Sequence, residues 1–453
     1  GHAETPLFAG IPAHTTVWMS HGDHLTQLPP GFQSIAATQN APIAAVAHEE
    51  RPLYGVQFHP EVDLSVDGIQ MIRNFLFGVT GLTGAYSAKC RQELAIEYIR
   101  SQVGPTKQVL CLVSGGVDSS VCAALLHRAL GAERLHCLHI DHGFMRHEES
   151  ATVVTALRAL GVPLEALDAS ATFAAATTTI KETKTAALCE TVAPEEKRKI
   201  IGDTFMVVTQ KLCEDKGLKA EDVFLAQGTL RPDLIESASE LVSSNAECIK
   251  THHNDTQLVK QLRDEGRILE PLRDYHKDEV RELGMALGLP QHLVWRQPFP
   301  GPGLAIRVLC ADEPYITADF DATQASLNAV CKEASDLPIT PLLLPVHTVG
   351  VQGDGRSYSY LAALTLPTPP TDAWPALLAL AKLIPGKVHQ VNRIVFMMGE
   401  PPAAAPRTIT PTRLTAEPLD QLRKADKVVN DVLAKHDLLR SLAQVPVTLF
   451  PVG

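Results

Sequence analysis

Residues 112–120, LVSGGVDSS, constrain this chain more than any other stretch of it. They follow the apolar run QVLCLV, short enough for a strand buried on both faces. They lead into DSSVCAALLHRAL, whose apolar residues recur at helical spacing. A strand that ends in Ser-Gly-Gly-x-Asp-Ser-Ser and turns into a helix presents bare N–H groups and small hydroxyls at a helix N-terminus. There the helix dipole also favours an anion. Ser114, Gly115, Gly116, Val117, Asp118, Ser119 and Ser120 are therefore candidates for holding a phosphate. The loop has no lysine, which separates it from the Walker A type. The bland alternative is a Ser/Gly turn capped by Asp118 or Ser119; the buried strand before it and the helix after it favour the phosphate site.

The same alternation continues downstream. RLHCLHID reads as a second strand, HEESATVVTALRALG as a second helix and VPLEALD as a third strand. Strand, helix, strand at these lengths implies right-handed crossovers and a parallel, doubly wound α/β sheet that binds a nucleotide. Residues 173–193, FAAATTTIKETKTAALCETVA, are rich in Ala and Thr with little periodicity, and are expected to be a disordered insertion or a mobile lid. A helix is expected over APEEKRKIIGDTFMVVTQKL, with Pro194 and two acids in its first turn.

After the Pro/Gly-dense QPFPGPGL the pattern becomes β-β-α-β, an α+β unit, followed by a Pro/Ala-rich linker, the helix LDQLRKADKVVNDVLAKH and an expected last strand, VPVTLFPVG. Upstream of residue 85, HTTVWMS and IAAVAHE read as strands and DGIQMIRNFLFGVTG as a short helix. These shifts divide the chain into expected domains at 1–84, 85–300 and 301–453. The first looks as though it begins inside a domain, because its strands need partners.

Bulk composition sets limits. A formal net charge of −11 argues against a protein that grips nucleic acid, which needs clustered Lys and Arg. No stretch is apolar enough for a membrane span, and the first residues lack the regions of a signal peptide, so a cytoplasmic location is expected. Nine cysteines lie scattered with no CxxC pair, as expected of reduced, mostly buried thiols.

The SGGxDS loop resembles the PP-loop of enzymes that cleave ATP between its α and β phosphates. That resemblance implies pyrophosphate held by the loop and Mg2+ positioned by Asp118. Upstream, YGVQFHPEV resembles the end of a class I glutamine amidotransferase domain, as does WMSHGD. In such a domain His59 would be the general base for a cysteine thiolate, and Glu61 would orient it. Together with HIDHGFMR, EEKRKIIGD, GTLRPDLIES, IKTHHND, EPLRDYHKDEVRELG, PFPGPGLAIRV and VGVQGDGRSYSY, the chain resembles the GMP synthetase family, in the longer form found in eukaryotes.

The resemblance implies a two-step reaction. Xanthosine monophosphate (XMP) is adenylated by MgATP, and ammonia from glutamine then displaces AMP to give GMP. Arg198 and Asp354 match XMP-contacting positions, with Lys197 and Lys199 expected to face solvent beside Arg198. Asp233 and Glu236 match carboxylates that serve magnesium or orient a lid. Lys250, His252 and His253 match the lid itself, whose cation and imidazoles stabilise charge as the adenylate forms. PFPGPG is expected to be a rigid connector.

The sequence also departs from the family. No cysteine precedes His59, the first being Cys90, so the triad is incomplete in these residues; upstream residues lost from the sequence are the favoured reason. The family's Lys-Pro-Pro-Gly tail does not appear, and Gln297 stands where a histidine is usual. Asparagine synthetase, NAD synthetase and tRNA-thiolating PP-loop enzymes match less well. A catalytically dead binding scaffold is the rival from another class. Neither a monomer nor a homodimer is favoured.

Overall fold

The computed structural model describes residues 5–19, 23–84, 88–233, 262, 265–352, 355–367, 372–398, 402, 404–442 and 444–452. The chain forms two compact units, Gly1–Arg91 and Gln92–Gly453.

In the first unit, β1 (Phe32–Ala36), β2 (Ala45–His48) and β3 (Tyr54–Val56) make an antiparallel sheet in that order, followed by α1 (Gly68–Arg73). Leu7, Ile35, Ala45, Ala47, Phe58 and Met71 form its core. Residues 14–19, expected to be a strand, are not one. Their backbone pairs instead with the loop after β3, where His59 N donates to Trp18 O at 2.9 Å and Val66 N to Thr16 O at 3.0 Å. Satisfying that loop takes the carbonyls a sheet partner would have needed.

The chain continues through α2 (Ala88–Val103) into a five-stranded parallel sheet built from β4 (Gln108–Leu112), β5 (Leu135–Asp141), β6 (Leu164–Asp168), β9 (Val223–Ala226) and β10 (Ile268–Leu269). Its order is β10-β9-β4-β5-β6, and all pairings are parallel. Alternate side chains enter opposite layers. Val109 and Cys111 join the core under α3 (Val117–Leu130) and α4 (Glu149–Ala159), whereas Leu110 and Leu138 join the cluster that includes Cys213 of α6 (Pro194–Asp215). Both faces are covered, as a parallel sheet requires. The chain runs from β4 outward to β6 and then returns to β9 on the other side of β4. The crevice where ligands bind in such sheets therefore lies at the C-terminal ends of β4 and β9.

Residues 173–193 are packed rather than a disordered insertion or lid. α5 (Ser170–Ala174), a hairpin of β7 (Thr179–Ile180) and β8 (Thr183–Lys184), and a turn of 3-10 helix at Leu188–Glu190 follow one another. Phe173 and Leu188 are fully buried. Two apolar anchors are enough to order a stretch that has no amphipathic period of its own.

After α7 (Lys277–Ala286), α8 (Gln291–Val294) and α9 (Phe320–Ala334), the β-β-α-β reading holds: β11 (Thr340–Gln352), β12 (Gly355–Thr365), α10 (Trp374–Lys387) and β13 (Val391–Met397). β12 pairs antiparallel with β11 and parallel with β13. α9 and α10 pack on one sheet face, while Ile409, Phe450 and Val452 cover the other. Among its described residues, 445–452, the last segment forms no strand. Leu449 makes a single bridge to Val308, because residues 450–452 serve as cover for a sheet face rather than as an added edge. α11 (Ala416–Lys435) is the last helix in chain order among the described residues. No helix among the described residues is long and apolar enough to cross a membrane.

Candidate active site

The loop after β4 is shaped before any ligand arrives. Gly115 takes φ +87°, a conformation a side chain would resist, and Gly116 is the N-cap of α3. The hydroxyls of Ser114 and Ser119 lie 3.1 Å apart, and Ser119 Oγ donates to Gly116 O at 3.0 Å, so two short side chains tie the loop to the first helical turn. Ser114 is exposed. Val117 is buried in the core and can offer a ligand only its backbone N–H, and Ser120, fully buried, donates its hydroxyl to Gly116 O at 2.9 Å. The first turn of α3 therefore presents its unpaired N–H groups at the crevice between β4 and β9.

The opposite wall begins at Gly228, just after β9. A Cβ there would stand 3.1 Å from the carbonyl carbon of Asp118 and 3.2 Å from Ser119 N. A side chain there would press on the backbone at the start of α3 and move the two segments apart by a few tenths of an ångström. α7 approaches α3 as closely: a Cβ on Gly284 would be 2.9 Å from Val121 Cγ2. That approach brings Lys277, at the first position of α7, to Asp118, with its Nζ 2.7 Å from Oδ1 and 2.6 Å from Oδ2. Sequence reasoning missed Lys277 and Gly228. The signal available was a glycine on the inner face of an amphipathic helix, two turns after a lysine.

Asp118 is a carboxylate beside the loop whose side chain is about one-third exposed, at 29%, and a magnesium ion would take its oxygens from Lys277, which holds both of them here. Among the described residues no group of three or more His, Cys, Asp or Glu forms a metal cage. One carboxylate completed by phosphate oxygens and water is the usual way a protein holds Mg2+, so Asp118 fits that demand. Asp233 accepts a hydrogen bond from Leu230 N at 3.0 Å and so helps close the turn after Gly228. Glu236, Lys250, His252, His253 and Asp354 lie outside the described residues.

Arg198 projects from α6 into solvent, 3.7 Å from Glu195. Its neighbour Lys197 does not face solvent as expected; it is 1% exposed. Its Nζ lies 3.3 Å from Ala305 O, 3.1 Å from Val308 O and 3.0 Å from Cys310 Sγ. Burial lowers its pKa, with Cys310 opposing. Lys199 is half-buried and pairs with Asp203 at 3.4 Å. The register explains the correction: residues 197, 200, 201, 204 and 208 share the buried face of α6.

PFPGPG does more than connect. Gly303, at φ +64°, lies so close to the loop after β5 that a Cβ would fall 2.2 Å from Phe144 O, and Leu304 N donates to that same oxygen at 2.8 Å. His142 lies buried under it among Phe144, Phe173 and Phe205, with its Nδ1 accepting from Phe144 N at 3.0 Å. Burial pushes its pKa down to about 4, so it is neutral at physiological pH. Gln297, standing where a histidine was expected, uses both ends of its amide. Nε2 donates to Leu442 O at 3.2 Å, and Oε1 accepts from Val445 N at 2.7 Å.

In the first unit His59 and Glu61 are brought together, with Nδ1 2.9 Å from Oε1. Ser65 Oγ donates to His59 O at 2.6 Å and to neither side chain of the pair, so it fixes the backbone of the turn. The Glu61 carboxyl is held below its usual range by its own backbone N–H and then by His59. Both side chains are exposed, at 39% and 60%. The structure thus brings the two side chains named for the amidotransferase part into direct contact.

The comparisons with known proteins agree with both halves. The glutamine amidotransferase class-I model matches residues 1–79, and the NAD synthase model matches residues 91–210. A protein from Dictyostelium discoideum named GMP synthase [glutamine-hydrolyzing] is 48% identical over 98% of this chain and 67% of its own length. A probable GMP synthase [glutamine-hydrolyzing] from Caenorhabditis elegans is 43% identical with the same coverage. The GMP synthase [glutamine-hydrolyzing] of Heliobacterium modesticaldum is 42% identical over 87% of this chain and 76% of its own. Among solved structures, NMN synthetase from Francisella tularensis overlays 48% of this chain and 78% of that one, at 14% identity and TM-score 0.33. Identity at this level, running through a PP-loop placed at the sheet's switch point and an assembled His-Glu pair, shows that the chain belongs to the glutamine-hydrolysing GMP synthase family.

Proposed function

We propose that this chain adenylates XMP with MgATP and aminates the product with ammonia, giving GMP, AMP and pyrophosphate. The observation that carries the reading is the loop at residues 114–120. Gly116 N donates to Ser114 Oγ and Ser120 N to Gly116 O, which leaves Val117, Asp118 and Ser119, in the first turn of α3, without an intrahelical carbonyl for their N–H groups at the switch point, and hydroxyl contacts and two close-packed glycine segments hold the loop in shape. Donors already aimed where charge develops need no reorganisation as pyrophosphate departs. Magnesium, when held by Asp118 and the phosphates, neutralises charge on the triphosphate.

Around that centre, Ser114, Gly115, Gly116, Val117, Asp118, Ser119 and Ser120 are assigned to ATP, through main chain or hydroxyl. Arg198 and Asp354 are assigned to XMP. Lys250, His252, His253, Asp233 and Glu236 are assigned to closing and charging the site. The exposed guanidinium of Arg198 suits a phosphate monoester, which it can meet without first breaking a buried ion pair. Segments 1–84, 85–300 and 301–453 take the roles of amidotransferase part, synthetase and XMP-binding or dimerisation domain. The protein works as a monomer or homodimer.

His59 and Glu61 are assigned the proton transfer and orientation of glutamine hydrolysis. The cysteine that this hydrolysis requires is not found before His59 in the sequence, so ammonia is the nitrogen source to use in assays of these residues. Seven cysteines, at 111, 122, 137, 189, 213, 310 and 331, are free thiols, which suits a reducing, cytoplasmic setting.

The test is the fate of oxygen. With XMP labelled with 18O at the base carbonyl that is replaced, the label should appear in the phosphoryl group of AMP. AMP without label would sink the adenylation step.

A further inference from the structure

We propose that Arg296 supplies a fixed positive charge to the pyrophosphate site, and that Glu149 is the residue that positions it. The inference rests on the reading of residues 114–120 as the pyrophosphate loop, and it adds a cation that the loop's own sequence lacks.

The geometry starts at Gly115. A Cβ built there would meet Met145 Cε at 3.2 Å, Val153 Cγ2 at 3.6 Å and Arg296 Nη2 at 3.8 Å, so the guanidinium lies directly beside the loop backbone. The Arg296 side chain is only 15% exposed, and Nη1 donates to Glu149 Oε1 at 2.8 Å. The other oxygen of Glu149 accepts from Arg146 N at 3.1 Å, in the first turn of α4, where a helix N-terminus favours a carboxylate. Glu149 is therefore held at both oxygens and points one of them at Arg296.

The main chain around Arg296 is clamped as well. Arg146 Nη2 donates to Gln297 O at 3.1 Å and to Pro298 O at 3.2 Å, while the Gln297 amide grips Leu442 and Val445. Burial lowers the pKa of Arg296 and the charge of Glu149 opposes the shift, but an arginine remains protonated at neutral pH.

A charge placed there answers a need of the site. Backbone N–H groups contribute only partial charges, and Lys277, a second cation beside the loop, sets its single ammonium between both oxygens of Asp118, whereas Arg296 gives Nη1 to Glu149 and keeps Nη2 beside the loop backbone. Departing pyrophosphate carries several negative charges, so a desolvated guanidinium that cannot swing away stabilises it without reorganisation. The competing explanation is an ion pair that only fastens α4 to residues 295–297. Such a pair would serve AMP and pyrophosphate equally.

The experiment is calorimetric titration of the full chain with inorganic pyrophosphate, and with AMP as the control that lacks it. The proteins are wild type, Arg296→Gln, Arg296→Lys and the double variant Glu149→Gln/Arg296→Gln. The double variant leaves no unpaired buried charge and covers the case in which the single one does not fold.

Loss of one preorganised donor predicts that neutral variants weaken pyrophosphate about tenfold or more, at least fivefold beyond any loss for AMP, with Arg296→Lys recovering most of it. A pyrophosphate loss within about fivefold of the AMP loss, or no recovery with lysine, overturns the role of Arg296. Wild-type protein that binds no pyrophosphate overturns the reading of the loop, and this inference with it.

Discussion

Lys277 Nζ sits between the two carboxylate oxygens of Asp118, 2.7 Å from one and 2.6 Å from the other, joining the first turns of α7 and α3. Both helices aim their N-termini at the same crevice, and the shared charge pair holds a lysine where phosphate oxygens would arrive. Gly284 makes this possible, since any larger residue would push α7 off Val121.

Lys277→Met should therefore act on chemistry more than on stability. The pair is partly exposed, at 37% and 29%, and such pairs contribute about 0–1 kcal/mol. The rate of AMP formation in a single turnover should fall about 100-fold, as for loss of one preorganised donor, while the melting midpoint hardly moves. An unchanged rate would remove Lys277 from the site.

The two neighbours on α6 should separate cleanly. Arg198→Ala, at an exposed position, should raise KM for XMP at least about tenfold while changing stability by less than about 0.5 kcal/mol. Lys197→Ala should do the reverse. It strands two buried carbonyls and opens a cavity, for a cost of roughly 2–5 kcal/mol in urea unfolding. Equal effects on XMP and on stability from both variants would contradict the assignment.

Gly303→Ala tests the packing of PFPGPG on the loop after β5. The new methyl would lie 2.2 Å from Phe144 O at a backbone φ of +64°. Left-handed strain plus overpacking costs roughly 2–5 kcal/mol. Equilibrium unfolding at neutral pH measures it, and a loss below about 1 kcal/mol would mean the two segments are not in contact.

His142 should make the protein acid-sensitive. Its pKa falls from 6.5 to about 4 on folding, mainly through burial, so the unfolded chain binds the proton more readily. The contribution is fully present above pH 6.5, shrinks as pH falls through the interval, and is gone below about 4; its full size is ~3 kcal/mol. His142→Asn should flatten that part of the stability-pH profile between pH 6.5 and 4. A variant as acid-sensitive as the wild type would place the titration elsewhere.

Much of this was legible in the sequence. The SGGVDSS loop, the strand-helix alternation around it and the later β-β-α-β unit follow from periodicity and glycine chemistry, which are local. Lys277, Arg296 and Gly228 were not legible, because their importance lies in a single contact made by helix or loop packing across the fold. Lys197 could have been read: at positions 197, 200, 201, 204 and 208 it shares the buried stripe of α6, but its charge suggested solvent. The Ala/Thr stretch misled for the opposite reason. Phe173 and Leu188 order it through tertiary contacts that leave no period in the sequence.

The most direct measurement follows phosphorus in a reaction of the full chain with XMP, MgATP and ammonium chloride, read by 31P NMR alongside GMP formation. The account predicts AMP and pyrophosphate appearing together, in step with GMP and only when XMP is present. ADP and inorganic phosphate as products, or ATP cleavage that ignores XMP, would contradict it.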